Sequence, residues 1–363
     1  MRTQHNRYGR SVGIAVAAAV SLLAPFAGDL SGQVVHTDPH GYIKLSVAPG
    51  TGATRRTTLL SIPLVEEASI VGAGRGRITG VTSNSITCGG AGWQVGQLSQ
   101  AGTPHLIEIT SGEAEGRMLL VSTSVPNTTD TLTIAPPELE GGGVDALGIA
   151  VGEQGDTYRI RPVDTLSSLL GTPESTLILG GATAGAADTV TMVVNGSAAT
   201  YFFNTSSTPP RWSRVALGSP DASNVAIPPY AALQYSRLAP TPLEFYVTGK
   251  VPDGKRMVPL KNAGTTLLST HWPVNQTLAD LGLHEVAGWK KAQSARSADT
   301  VSLVSSGSVS TYFHDGATWR KLALGLPGAD AAPVPAGAGV LVTRKGQGNG
   351  YSPQIDTAPY TLE

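Results

Sequence analysis

Alternating apolar and polar positions mark two nearly identical stretches of this chain. ADTVTMVVNGSAATYFF begins at Ala187 and ADTVSLVSSGSVSTYFH begins at Ala298, 111 residues later, and 10 of the 17 positions are identical. Alternation with a period of two is typical of β-strands. The Asn-Gly pair at 195–196 favours a two-residue hairpin turn, since both turn positions need a positive φ. We therefore predict the same β-hairpin in each stretch, with strands Thr189–Val194 and Ser197–Phe203 in the first copy.

The position of the turn fixes which residues face each other across a hairpin. In both copies an aliphatic side chain faces a tyrosine, and a threonine faces a phenylalanine. The predicted pairs are Val190–Tyr201, Met192–Ala199 and Thr189–Phe202 in the first hairpin, and Val301–Tyr312, Leu303–Ser310 and Thr300–Phe313 in the second.

The similarity between the copies continues on both sides of the hairpin, which indicates an internal duplication. Each copy contains a short Thr-Leu segment, the hairpin, a strand that carries a tryptophan, and a final strand after a proline turn. The further matches are TLSSL (165–169) with TLADL (277–281), RWSRVALGSP (211–220) with TWRKLALGLP (318–327), IPPYAALQYSR (227–237) with VPAGAGVLVTR (334–344), and TTLLSIPLV (57–65) with TTLLSTHWPV (265–274).

The first copy is interrupted by a long insertion. Pro63 and Thr165 are 102 residues apart, whereas the matching Pro273 and Thr277 are only 4 apart. The interrupting segment is itself β-patterned, with five or six short strands at regular spacing. Such spacing is typical of a small barrel of SH3-like or OB-like size.

These patterns together predict an all-β fold. It contains two similar small β-modules, related by internal duplication, and a small β-barrel-like domain inserted in the first module. The predicted segments are a signal peptide (1–32), the N-terminal strands of the first repeat (33–67), the inserted barrel (68–162), the first β-module (163–242), the second repeat and β-module (243–346) and a C-terminal tail (347–363).

The charge distribution narrows the functional classes. Charged residues make up 14% of the chain and the formal net charge is −1. No basic stripe follows the N-terminus, so nucleic-acid binding is not expected. Residues 2–10 carry three arginines and no acid, and residues 11–28 carry no charge at all. This pattern favours a cleaved secretory signal peptide over a retained transmembrane anchor, and it predicts a periplasmic, cell-surface or extracellular protein without a membrane span after cleavage.

No motif in the chain defines an active site, a cofactor site or a metal site. The glycines of VGAGRG (71–76) precede a strand instead of the helix that a dinucleotide fingerprint needs. The histidines lack metal-ligand spacing, and no G-x-S-x-G elbow occurs. Asp188 and Asp299 recur before the first strand of each hairpin, where an aspartate typically bonds to backbone amides. We therefore predict a protein without catalytic activity and without a cofactor.

The repeated aromatic residues Tyr201, Trp212, Tyr312 and Trp319 are the candidate binding residues. Exposed aromatic rings on a sheet can stack on the apolar faces of sugars. In a module of about 70 residues, however, one tryptophan and one tyrosine usually form the core. The sequence therefore leaves two alternatives, and the core interpretation is favoured.

Several segments resemble an uncharacterised family of exported bacterial proteins that carry signal peptides and have no known function. The resemblance rests on TDPHGYIKL (37–45), the run ITSGEAEGR…NTTDTLTI, GDTYRIRP (155–162) and the repeated ADTV…TYF…W pattern, and it covers nearly the whole mature chain. This chain differs from the family pattern at IPPYAALQYSR (227–237), where the family pattern has a glycine-containing turn. The resemblance implies export and the repeat, but it implies no activity and no cofactor.

Three functions remain open at this point. The first is a non-catalytic structural or interaction protein of the cell envelope or medium, with other envelope proteins, a second copy of itself or glycans as candidate partners. The second is a carbohydrate-binding module that uses the Tyr/Trp face. The third is a secreted hydrolase with a scattered active site.

Overall fold

Short antiparallel strands make up nearly all of the regular structure. The computed structural model describes residues 39–68, 76–136, 142–194, 197–305, 307–348 and 350–361. Within these ranges there are two short helices, α1 (Leu166–Leu170) and α2 (Pro173–Thr176), and three-residue 3-10 turns at Val144–Ala146, Ala184–Ala186 and Leu283–Glu285. None of the described helices has the length and apolar character needed to cross a bilayer. The all-β class predicted from the sequence is therefore confirmed.

The strands are numbered in chain order. Those up to residue 250 are β1 (His40–Val47), β2 (Arg56–Leu60), β3 (Gly80–Val81), β4 (Ser85–Thr87), β5 (His105–Ile109), β6 (Met118–Leu120), β7 (Thr131–Thr133), β8 (Tyr158–Pro162), β9 (Thr189–Val194), β10 (Ser197–Asn204), β11 (Arg211–Arg214), β12 (Leu233–Arg237) and β13 (Leu243–Lys250). Those that follow are β14 (Lys255–Lys261), β15 (Ala263–Ser269), β16 (Gln276–Thr277), β17 (Thr300–Ser305), β18 (Ser308–His314), β19 (Trp319–Lys321), β20 (Pro333–Val334), β21 (Gly339–Lys345) and β22 (Tyr351–Thr357).

The first module is a five-stranded sheet covered by a two-stranded ribbon. The sheet has the order β11-β10-β9-β12-β2, and β1 pairs with β13 to form the ribbon. The predicted pairs Val190–Tyr201 and Met192–Ala199 are present in the first hairpin, whereas the turn at 195–196 lies outside the described residues. The inner side of the ribbon contributes Ile43 and Phe245 to the core of this module.

The second module has the same strand order. Its sheet runs β19-β18-β17-β21-β15, and β14 pairs with β22 as the ribbon. All three predicted pairs of the second hairpin are present, with Val301 opposite Tyr312, Leu303 opposite Ser310 and Thr300 opposite Phe313. The hairpin lies at the same place in both sheets, so the two hairpins occupy equivalent surroundings.

The ribbons place two segments differently from the sequence assignment. Residues 243–250 are assigned to the second repeat from the sequence, but they form β13 and pair with β1 of the first module along eight positions. Residues 347–363 are assigned to a C-terminal tail, yet β22 within that range pairs with β14 along seven positions. Pairing between the first and last strands of a module leaves no local sequence signal, because the partners are far apart in the chain.

The insert consists of two three-stranded sheets around one core. The sheets have the orders β3-β4-β7 and β6-β5-β8, and a hairpin turn at Ser83-Asn84 joins β3 to β4. Single bridges, Val121–Ile134 and Arg77–Thr157, connect the two sheets at their edges. A closed barrel needs a continuous hydrogen-bonded ladder, and the described strands do not form one. The arrangement is therefore barrel-like but not a closed barrel.

Candidate functional site

The four aromatic residues singled out in the sequence lie in the cores of the two modules. Tyr201 and Tyr312 are each 7% exposed, Trp212 is 1% exposed and Trp319 is fully buried. The Trp212 indole packs edge-on against Phe203, with ring centroids 6.0 Å apart, and its Nε1 donates to the backbone oxygen of Gly171. A sugar would need an accessible ring face, which none of the four offers. We therefore assign them to the cores and do not carry sugar stacking at these residues further.

Asp188 is the centre of a buried polar cluster in the first module. Its carboxylate accepts hydrogen bonds from Arg237 Nη1 at 2.7 Å and from the Tyr235 hydroxyl at 2.9 Å. It also accepts from the backbone amides of Leu179 and Leu238. Both Asp188 and Arg237 are almost fully buried. All four of these hydrogen bonds come from side chains and backbone amides of the same module, which supports a structural role.

Asp299 occupies the equivalent position in the second module. It accepts from Arg344 Nε at 3.4 Å and from the backbone amides of Lys290 and Lys345. The aspartate and Arg344 are both buried. Each aspartate therefore serves its own module, and the two carboxylates do not meet in a shared site.

A third buried carboxylate joins the insert to the second module. Glu108 on β5 accepts hydrogen bonds from Arg161 Nε at 2.8 Å and from Arg256 Nη1 at 2.5 Å, and all three side chains are at most 5% exposed. Burial alone would raise the pKa of Glu108, but the guanidinium groups of Arg256 and Arg161 outweigh this effect and lower the pKa to about 2. The carboxylate therefore stays ionised and ties β8 of the insert to β14.

His271 lies beside this cluster, just after β15. It is 5% exposed, has a φ of 42°, and its Nε2 has no hydrogen-bond partner among the described residues. Burial first and the charge of Arg256 second lower the pKa of His271 to about 3. The imidazole is therefore neutral in the folded protein at neutral pH, and its protonation in place is unfavourable.

We expect the free energy of unfolding to fall on acidification because of His271. The folded pKa lies below the unfolded value of about 6.5, so the unfolded state binds the proton first and stability is lost as the pH falls from 6.5 toward 3. One pKa unit corresponds to about 1.4 kcal/mol, so a change from pH 7 to pH 4 should remove up to about 3 kcal/mol through this residue. His271→Asn removes the titration, and asparagine tolerates a positive φ.

The measurement is urea unfolding of both proteins at pH 7 and at pH 4. The loss on acidification should be smaller in His271→Asn than in the unaltered protein by up to about 3 kcal/mol. Burial raises the pKa of Asp356 to about 6, which acts with the opposite sign, but this residue is present in both proteins and its effect cancels in the comparison. An equal loss in both proteins would contradict the role assigned to His271.

Two matching surface loops carry the most exposed apolar side chains of the modules. We call residues 214–220 and 321–327 the leucine loops; they follow β11 and β19. Leu217 is 104% exposed and Leu324 is 103% exposed, so neither side chain is covered by any described residue. Val215 precedes Leu217 in the first loop and is about half exposed. In the second loop Leu322 and Leu326 are also exposed.

The two loops have the same backbone conformation. Gly218 and Gly325 follow the exposed leucines with φ values of 78° and 79°, as the third position of a type II turn requires. Four backbone hydrogen bonds of 2.8 to 3.0 Å recur in each loop. They are Arg214 N–Pro220 O, Val215 N–Thr200 O, Ala216 N–Arg214 O and Ser219 N–Ala216 O in the first, and Lys321 N–Pro327 O, Leu322 N–Thr311 O, Ala323 N–Lys321 O and Leu326 N–Ala323 O in the second.

Both loops also keep a residue in a conformation that favours glycine. Ser219 and Leu326 each have a φ of 44°. A left-handed backbone at a residue other than glycine costs on the order of 1 to 3 kcal/mol, and such strain is concentrated at functional positions. Each loop therefore presents its leucine on a hydrogen-bonded backbone that contains one strained residue.

The match between these loops is visible in the sequence, where Leu217-Gly218 aligns with Leu324-Gly325, but there it indicates only duplication and not a candidate site. Apolar residues are usually interpreted as core residues. One signal could have indicated that these leucines are exposed: in both loops a Leu-Gly pair is followed two positions later by proline, which favours a turn.

The described ranges contain no group of three or more His, Cys, Asp or Glu side chains that could hold a metal ion. No known family, curated protein or solved structure matches this chain. The leucine loops are therefore the candidate functional site on structural grounds alone.

Proposed function

We propose that this protein is an exported, non-catalytic β-rich protein that works by binding other proteins through its two leucine loops. The observation that carries the proposal is the pair of fully exposed leucines, Leu217 and Leu324, on loops of the same conformation. Transfer of a leucine side chain from water into a partner's pocket gains about 1.5 to 3 kcal/mol. The loop backbone is already held by hydrogen bonds, so binding mainly costs the rotamer freedom of the two side chains, about 0.5 to 1 kcal/mol for each leucine.

Single exposed apolar residues are common on protein surfaces and need no special explanation. The leucine loops differ because the exposure recurs at matching positions and because the second loop groups three exposed leucines within five residues. Exposed apolar residues that are grouped in this way mark interaction sites more often than scattered ones do. The charge-free run after a basic N-terminus supports export, which would place the partner in the envelope or the medium.

A capture experiment with a loop variant tests the proposal. The purified chain is immobilised and exposed to the envelope fraction and the medium of its own cells, beside the double variant Leu217→Ser/Leu324→Ser. The complex with the variant would lack the two leucine side chains that the partner would otherwise bury. We therefore expect the variant to retain captured partners at least about tenfold less well. Both side chains are exposed, so the variant should keep the thermal midpoint of the unaltered protein.

Val95→Ser is the matched control, because Val95 is 70% exposed but lies in the insert. This variant should capture the same proteins as the unaltered chain. Equal capture by all three proteins would contradict a role for the leucine loops. A product released from an envelope substrate by the chain would contradict the non-catalytic part of the proposal.

A further inference from the structure

The outer side of the ribbon formed by β1 and β13 carries an exposed pair of aromatic rings. From Tyr42 to Val47 and from Leu243 to Thr248 the inner residues are buried and the outer residues are exposed in alternation, whereas Lys250 at the end of β13 is buried. Tyr42 is 73% exposed and Tyr246 is 64% exposed, and their ring centroids are 6.4 Å apart with an interplanar angle of 50°. We call this side the tyrosine face; its residues are His40, Tyr42, Lys44, Ser46, Glu244, Tyr246 and Thr248.

The two rings are held beside each other by the strand register. Lys44 lies directly opposite Tyr246, and Tyr42 lies directly opposite Thr248, so the tyrosines are diagonal neighbours. Diagonal neighbours on a sheet are within reach of aromatic side chains. The rings are therefore positioned by backbone pairing, and each still presents a large part of its surface to solvent.

The charges on the tyrosine face are balanced. Lys44 Nζ and Glu244 Oε1 are 2.6 Å apart, and both side chains are nearly half exposed. The charges at the centre of the face thus neutralise each other, which disfavours a strongly charged ligand. Ser46 and Thr248 add hydroxyl groups that can donate and accept hydrogen bonds at the margins of the rings.

The matching side of the second module is partly covered. Its outward residues Met257, Pro259 and Tyr351 are only partly exposed, and Met257 forms a bridge with Arg117 of the insert, whereas Pro353 and Ile355 are exposed. The first module has a comparable face, on which Lys250 is buried but the residues around the two tyrosine rings are exposed. The second ribbon thus contacts the insert through Met257, whereas the two tyrosine rings of the first ribbon remain open to solvent.

We propose that the tyrosine face binds an uncharged polysaccharide. A pyranose ring has an apolar face of C–H groups and a rim of hydroxyls, which complements two aromatic rings surrounded by hydroxyl and paired charged groups. The tilt of 50° between the rings fits two successive sugars of a twisted, soluble chain better than a flat crystalline surface. This site is distinct from the four buried aromatic residues and does not rest on the leucine loops.

Affinity electrophoresis tests this proposal. The full chain is run in native gels that contain hydroxyethylcellulose, xyloglucan, glucomannan or dextran, and in a gel with the acidic polysaccharide alginate. We expect retardation by at least one of the four uncharged polymers. Tyr42→Ala and Tyr246→Ala should each weaken this retardation about tenfold, since each removes one stacking surface, and the double variant should abolish it.

Conservative and remote variants serve as controls. Tyr42→Phe/Tyr246→Phe keeps both rings and should keep most of the retardation, whereas Leu217→Ser/Leu324→Ser should leave it unchanged. Circular dichroism and thermal unfolding show whether the alanine variants keep the fold, which we expect because both tyrosines are exposed.

Three results would overturn the proposal. The first is the absence of retardation by all four uncharged polymers, or retardation by alginate alone. The second is retardation that the double alanine variant retains. The third is self-association of the unaltered chain in sedimentation velocity that the double alanine variant loses, which would assign the tyrosine face to a second copy of the protein.

Discussion

Replacement of Glu108 by glutamine should lower the free energy of unfolding by about 3 to 5 kcal/mol, because it leaves two buried guanidinium groups without their counter-charge. Arg161 and Arg256 are each 2% exposed, so water cannot compensate for the lost carboxylate. The measurement is urea unfolding followed by tryptophan fluorescence and by circular dichroism, since two probes reveal whether the insert and the second module separate before the rest unfolds.

Two further variants make this prediction specific. Glu115→Gln removes a carboxylate that pairs with Lys255 at 2.9 Å, but these side chains are 32% and 48% exposed, so the loss should be below about 1 kcal/mol. Replacement of the whole buried cluster by Glu108→Leu, Arg161→Met and Arg256→Met should recover most of the stability, because no charge is then left buried. An equal loss of unfolding free energy in Glu108→Gln and Glu115→Gln would contradict the conclusion that the buried ion pairs of Glu108 hold the insert to the second module.

The same carboxylate makes the protein sensitive to strong acid. The folded pKa of Glu108 is about 2, below its usual range, so its contribution to stability is fully present above pH 4.5 and is lost as the pH falls toward 2. Its effect lies below most of the range in which His271 acts, so the two contributions can be separated by pH.

Asp188→Ala and Asp299→Ala should each lower the free energy of unfolding by about 3 to 5 kcal/mol, since each leaves a buried arginine unpaired. The loss should be larger for Asp188, because its bond to Arg237 is 2.7 Å long whereas Asp299 and Arg344 are 3.4 Å apart. Asp188 also loses the bond from the Tyr235 hydroxyl, which has no counterpart at Asp299 in the described contacts. Urea unfolding of both variants measures the difference.

Asp221→Ala is the matched control for this pair. Asp221 is 57% exposed and lies 3.9 Å from Arg211, so its removal should cost less than about 1 kcal/mol. The double variant of Asp188 and Asp299 should show additive losses, because the two carboxylates share no partner. An unchanged free energy of unfolding in either buried aspartate variant would contradict the structural role and would favour a functional role for that residue.

Local features of the fold could be predicted from the sequence. Alternation and the position of the turn are enough to define the register of the second hairpin, in which Val301 faces Tyr312. The structural role of Asp188 follows from its place before a strand. Its actual partners do not, since Arg237 ends β12 and Leu238 follows it, about 50 residues away, and only the packed sheet brings them near.

The ribbons and the candidate sites could not be predicted in the same way. β1 and β13 are separated by roughly 200 residues, and their pairing depends on the sheet beneath them. Alternation shows that Tyr42 and Ile43 lie on opposite faces of a strand, but it does not show which face is covered. Leu217 and Leu324 were missed because hydrophobicity is ordinarily a signal of burial.

The pairing of first and last strands has a mechanical consequence. His40 lies opposite Lys250 in the first module, and Lys255 lies opposite Thr357 in the second, so the chain enters and leaves each module at neighbouring points. Tension applied to those two points would open the antiparallel ribbon from one end, breaking its hydrogen bonds one pair after another. Each ribbon would therefore yield at low force and release extra chain length before any load reached the five-stranded sheet.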